Sequence, residues 1–239
     1  MTYNIYQQND IHSNTRKSGA GSFMHGLFNY DGLFVQTTNK IVDCICLSLL
    51  WLVSSLPVVT VGAATTALYY AMNKCVRRSE GGVWSTFWHS FRMNFRQATG
   101  LWLMLLLFYG LMLASCCCAW LMYTIGSLPK WMPIVLLVLT GVITLWAVWL
   151  FPYLARFTDT VPQVLKNCAL IAVMNFPKAL LQFAALLISL AVVLLLPLGI
   201  LFIPGVYMVL SCYIAEPAFL KYMSPEDRAR EEALLRSEN

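Results

Sequence analysis

Three ionisable residues stand where long uncharged stretches begin or end: Asp43, Arg156 and Glu216. A charge held at the centre of a bilayer costs at least about 2.5–3.5 kcal/mol on insertion scales, so such a group needs a partner or a task. Asp43 follows Lys40 by three residues, which puts the two on one helix face, where they can pair with Lys40 snorkelling toward the interface; a buried pairing of Asp43 with Arg156 is the alternative. Glu216 and Arg156 each occupy the closing turn of an apolar unit. They meet if those units pack side by side. Asp43, Arg156 and Glu216 are therefore the candidate ion-pair residues.

Other chemistry is sparse. The sequence has no H-E-x-x-H, nucleophile elbow, phosphate loop or EF-hand. His12 and His25 fall in a polar leader and His89 on a basic stripe, so no imidazole is placed in an apolar segment for acid–base work. The eight cysteines show no C-x-x-C pair, and on helices Cys44 and Cys46 point about 200° apart while Cys116, Cys117 and Cys118 fan out, so they read as soft packing residues. No catalytic residue, cofactor or metal site is expected. Pro204-Gly205 falls midway through the last apolar stretch and predicts a kink, or a broken helix with free carbonyls. Ser54, Ser55, Thr60, Thr65 and Thr66 can bond across helices.

The elements that must position these groups are membrane helices. Of 239 residues 59% are apolar and 11% charged, against roughly 45–50% and about 25% in soluble domains. The apolar residues come in blocks matching the roughly 20 helical residues that cross a bilayer. Full spans are expected at about 41–58, 99–124, 131–155, 179–196 and 198–215. A short second helix over 62–76, broken from the first span by Pro57 and Gly62, carries Asn73 and Lys74; it is spanning, re-entrant or interfacial. The first 24 residues have no apolar core, which predicts a retained first segment in place of a cleaved signal. The fold class is an all-α bundle of five transmembrane helices plus this short helix.

Between the spans, Trp84, Phe87, Trp88, Phe91 and Phe95 repeat at helical spacing, with Ser85, His89, Arg92 and Arg96 about 100° away. This pattern predicts an interfacial helix over 84–98, with Trp84 and Trp88 at the headgroup boundary and Arg92 and Arg96 toward anionic lipid. A cytoplasmic extension of the next span is the alternative. The net charge of +5 is too modest to signal a nucleic-acid partner. If 62–76 returns through the membrane, fifteen of the sixteen Lys and Arg share one side, which puts both termini in the cytoplasm. An internal echo supports paired units: Met93-Asn94-Phe95 and Met174-Asn175-Phe176 open two of them, and Pro152 to Phe157 and Pro217 to Tyr222 close them. Ser224-Pro225-Glu226-Asp227 opens a short polar tail helix.

The runs Phe28-Asn29-Tyr30-Asp31-Gly32, Asn39-Lys40, Asp43, Ser55 to Gly62 and Thr65 to Tyr70, followed by Ser90 to Thr99, Leu165-Lys166-Asn167 and Asn175-Phe176-Pro177-Lys178, closely resemble the YesL family of bacterial membrane proteins. The resemblance covers roughly 28–222. It implies a membrane domain over 28–222; the polar leader over 1–27, which reads as disordered, departs from the family's pattern, and a short polar cytoplasmic tail is expected over 223–239. The family is a domain of unknown function often found beside carbohydrate ABC importers. It implies a non-catalytic protein of the bacterial cytoplasmic membrane, accessory to carbohydrate uptake or its assembly, with the bilayer and permease subunits as partners. A small secondary transporter or channel, with Asp43, Glu216 and Pro204 along its path, is the alternative; a membrane sensor or scaffold is a second.

Overall fold

The structure, a computed structural model, describes residues 33–78, 81–125, 129 and 131–223; the leader, Lys130 and the tail helix expected after Ser224 lie outside them. The described residues are helical, with no strand. Helix α1, Leu33–Ser54, ends just before Pro57, which lacks a backbone donor and restricts the residue ahead of it. A single 3₁₀ turn, Val58–Thr60, follows. The Thr60 hydroxyl donates to the carbonyls of Ser54, at 2.6 Å, and Pro57, at 2.7 Å, and fixes the reversal into α2, Val61–Ala71.

Helix α2 is built largely from Gly, Ala and Thr, and eight of its residues are buried. Small side chains let neighbours close around it on several sides, and it packs on α1, on the long α3 and on α8. At Gly62 an added Cβ would lie 2.5 Å from Trp102 Cβ and 2.6 Å from the Ala98 carbonyl oxygen, so only glycine fits. The helix then widens into a π turn, Met72–Arg77. Together these 17 residues extend about 25 Å, short of a hydrocarbon core of about 30 Å.

Helix α3, Val83–Thr124, is continuous for 42 residues, about 63 Å. The separate interfacial helix expected over 84–98 is therefore absent as an independent element: this stretch is the first third of α3. Phe87, Ser90, Asn94, Ala98, Leu101 and Leu105 are buried, whereas Trp84, Arg92 and Arg96 are exposed and Trp88 is half-buried. Trp84, Trp88, Phe91 and Phe95 stack along the less buried side, with centroids 5.9 Å apart for Trp84–Trp88, 5.3 Å for Trp88–Phe91 and 5.4 Å for Phe91–Phe95. The physical reason is α2. It packs closely along α3, with Gly62 set against Ala98 and Trp102.

Helix α4, Trp131–Ala147, runs back antiparallel to α3, with Tyr109 hydrogen-bonded to Thr144 at 3.0 Å and Trp102 6.2 Å from Phe151. A turn at Val148 and the buried Trp149 separates it from α5, Leu150–Arg156. The stretch expected as a loop over 156–178 contains α6, Val161–Met174. It opens with a capping box between Thr160 and Gln163 and a proline in its first turn. Helices α7, Phe176–Leu195, and α8, Ile203–Tyr222, form the last hairpin around a 3₁₀ segment, Pro197–Leu201.

Both helices sit differently from the expected 179–196 and 198–215, because Pro197 and Gly199 hold a 3₁₀ turn instead of starting the last span. Pro204 consequently lies in the first turn of α8, where a missing donor is harmless, and produces neither kink nor broken helix. Gly205 beside it admits α1: an added Cβ would meet Ser48 Oγ at 2.1 Å and the Cys44 carbonyl oxygen at 3.0 Å.

Four described stretches, Val83–Thr124, Trp131–Arg156, Phe176–Leu195 and Ile203–Tyr222, are long and apolar enough to cross a membrane. The expected count was five. Helix α1 lies outside this set, and its first half carries Gln36, Asn39, Lys40 and Asp43.

Candidate functional site

Glu216 is completely buried on α8, and donors from three other segments converge on it. The Tyr69 hydroxyl of α2 donates to its Oε1 at 3.0 Å and the Asn73 amide of the π turn donates to the same oxygen at 2.9 Å. On the other oxygen, Oε2, Arg156 Nη2 of α5 lies at 3.1 Å and Arg77 Nη1 at 3.5 Å. Arg77 also donates to Asn73 Oδ1 at 2.7 Å, which fixes the orientation of that amide. A buried carboxylate is tolerated only when paired and hydrogen-bonded, and here both oxygens are engaged.

Tyr69, Asn73 and Arg77 are spaced four residues apart, so they lie along one face of the segment formed by α2 and the π turn and reach the carboxylate together. Around the ionic group, Trp149, Tyr153, Phe157 and Phe219 pack edge-on or tilted with centroids 4.6–6.0 Å apart and shield it from water.

A second polar cluster adjoins it. The Tyr153 hydroxyl donates to the buried Asp159 carboxylate, Asn167 donates to Tyr153 Oη at 2.8 Å and to Asp159 Oδ2 at 3.2 Å, and Gln97 donates to the Asp159 carbonyl at 2.7 Å. These bonds tie α3, α5 and α6 together. Cys168 of α6 is wholly buried behind them; burial, with the Asp159 charge adding to it, pushes its thiol well above the usual range, so it stays protonated.

Of the three candidate ion-pair residues, the structure brings Arg156 and Glu216 together and leaves Asp43 apart. Asp43 is half-buried on α1, and no ion pair joins it to Lys40 or Arg156 among the described residues. Trp84, Trp88, Arg92 and Arg96 contribute nothing to the site. Sequence reasoning missed Tyr69, Asn73 and Arg77. The available signal was Asn73, a polar residue inside an uncharged, Ala-rich stretch with an arginine one turn on.

An all-helical chain with four helices able to cross a membrane, and its buried charges gathered on one carboxylate, belongs to the class of multi-pass membrane proteins. Residues 44–116 are similar to a family described as a protein of unknown function, DUF624. That stretch includes Tyr69, Asn73 and Arg77 but stops short of Arg156 and Glu216. No curated protein and no solved structure matches the chain.

Proposed function

We propose that this chain is a non-catalytic, YesL-like protein of the bacterial cytoplasmic membrane that serves carbohydrate uptake as an accessory to an ABC importer or to its assembly. The observation that carries the non-catalytic part is the arrangement at Glu216: its carboxylate oxygens are engaged by Tyr69, Asn73, Arg156 and Arg77, so it acts as a fastener between helices. The carbohydrate part rests on the family resemblance. Long apolar faces on α3, α4 and α7 suit contact with lipid and with permease helices.

The test is purification of the full chain from native membranes after cross-linking. Permease subunits of a sugar importer should co-purify, and deletion should lower both sugar uptake and permease abundance. Uptake and permease levels that stay unchanged on deletion overturn the proposal.

The transporter alternative puts Asp43, Glu216 and Pro204 along one path; Asp43 stands apart from Glu216, and Pro204 lies in the first turn of α8. What favours keeping it as a second reading is a cavity next to the Glu216 group. It requires the purified protein in liposomes to move a solute, and a broad panel without movement removes it.

A further inference from the structure

The 42-residue helix α3 begins on the Gly81-Gly82 turn, and nothing caps it there. Its N-cap residue, Gly82, has no side chain to offer, and the first turn holds no acidic residue. Thr86 is the first residue whose amide is bonded back into the helix, to the Gly82 carbonyl at 3.0 Å. The amides of Val83, Trp84 and Ser85 therefore have no acceptor among the described residues. Such an end carries roughly half a positive charge and is ordinarily met by a carboxylate or a bound anion.

Two buried side chains without partners converge on the same turn. Thr86 is fully buried, and its Oγ has no hydrogen-bond partner. A threonine inside a helix commonly turns its hydroxyl onto the carbonyl four residues back, as Thr65 does to Val61 at 2.7 Å and Thr66 to Gly62 at 3.0 Å. Thr86 makes no such bond to Gly82. Its Oγ is aimed at Gly81 instead, where an added Cβ would lie 3.3 Å from it. Lys74, from the π turn, approaches the same point, with its Cε 3.7 Å from that Cβ position. Lys74 is only 8% exposed and has no ion pair or hydrogen bond among the described residues. Its neighbour Arg77, by contrast, is committed to Glu216 and Asn73. A buried ammonium needs a counter-charge. Gly81, with φ +75° and no side chain, leaves the backbone open to a ligand at this point.

We propose that the Gly81-Gly82 turn binds a phosphate group, with the amides of Val83, Trp84 and Ser85 and the Thr86 hydroxyl donating to its oxygens and Lys74 balancing its charge. The amides and the ammonium only donate, so the ligand is an anion. Donors approach from the helix axis, from the side of α3 and from the π turn, which suits a tetrahedral oxyanion. The phosphate belongs to an anionic lipid headgroup or to a soluble phosphorylated compound. The site requires neither a permease nor the Glu216 pair, so it stands or falls separately from the accessory role.

The experiment uses the full chain purified in dodecyl maltoside, which contains no phosphate. Calorimetric titration with inorganic phosphate, at an ionic strength fixed with sodium chloride, should show saturable binding to one site. Lys74→Met and Thr86→Val should each weaken it about tenfold or more, the effect expected from loss of one hydrogen bond or charge contact to an anion. Val83→Pro removes one amide donor at a position where a helix accepts proline; it should weaken binding similarly, and serves if either other variant fails to fold. Glu80 precedes Gly81 in the chain, and Glu80→Gln should raise the affinity by removing a nearby negative charge. Native mass spectrometry after addition of phosphatidylglycerol or phosphatidylcholine separates the sources. Phosphatidylglycerol retention that falls in Lys74→Met and Thr86→Val identifies a lipid headgroup, whereas retention that stays constant while phosphate binding is lost identifies a soluble compound. Phosphate affinity unchanged in all three site variants, weaker binding in Glu80→Gln, or neither phosphate binding nor variant-sensitive lipid retention overturns the proposal.

Discussion

Glu216 carries more of the buried polarity than any residue around it, and its substitution separates charge from hydrogen bonding. Glu216→Gln keeps the shape and an acceptor for Tyr69 and Asn73, but leaves the buried Arg156 guanidinium without its counter-charge. Breaking one side of a buried pair costs about 3–5 kcal/mol, so thermal unfolding in detergent should show a large loss. Tyr69→Phe removes one hydroxyl and should cost only about 1 kcal/mol. Replacing both partners, as Arg156→Met with Glu216→Leu, should recover most of the loss, because an apolar pair of similar size needs no compensation. A Glu216→Gln protein as stable as wild type would show that the pair bears no load. Two of the five residues of this site, Arg156 and Glu216, are legible in the sequence. The matched closing turns of the internal echo point to Arg156 and Glu216, whereas Tyr69, Asn73 and Arg77, although spaced four apart on one helix face, carry no local signal that this face meets α5 and α8.

At the scale of elements, two glycines set how closely the helices approach. Gly62 and Gly205 have neighbouring side-chain and backbone atoms within 3.0 Å of where a Cβ would be, whereas Gly100 has nothing within 4 Å. Gly62→Ala and Gly205→Ala should each destabilise the protein by about 1–3 kcal/mol through overpacking. Gly100→Ala, on an exposed face of α3, should instead gain about 0.5–1 kcal/mol by restricting the unfolded chain. Equal effects at all three positions in chemical unfolding would refute the close approach. The uncharged runs located the apolar halves of α3 and α4 well, because hydropathy and length suffice for a helix in lipid. They failed for α6 and for the start of α8. Helix α6 is set by a capping box on a short segment, and α8 by a 3₁₀ turn, neither of which changes hydropathy.

For the whole molecule, the directions of the helices follow from a few contacts. The Ser54 carbonyl accepts from Thr60, and Trp51 Nε1 donates to Thr65 at 3.1 Å, so α1 and α2 form an antiparallel hairpin. Gly62 lies against Ala98 and Trp102, and a short turn at Gly81, with φ +75°, joins α2 to α3, so these two are also antiparallel. Tyr109 and Thr144 give the same relation for α3 and α4, and Gln182 with Val148 and Ser211 aligns α7 against α4 and α8. The start of α1, the π turn, the start of α3, the end of α5, the start of α7 and the end of α8 therefore share one end of the bundle. Lys40, Lys74, Arg77, Arg92, Arg96, Arg156, Lys178 and Lys221 all lie near it. Cationic ends are retained in the cytoplasm, so this end should face inward and the Pro197–Leu201 turn outward. The check is single-cysteine labelling in a chain whose eight native cysteines are replaced by serine. Leu198→Cys, on the exposed turn, should react with an impermeant maleimide in intact cells. Lys40→Cys and Arg92→Cys should react only after permeabilisation. Labelling of Lys40→Cys from outside would mean that α1 and α2 do not enter and leave by the same side, and would restore an odd number of crossings.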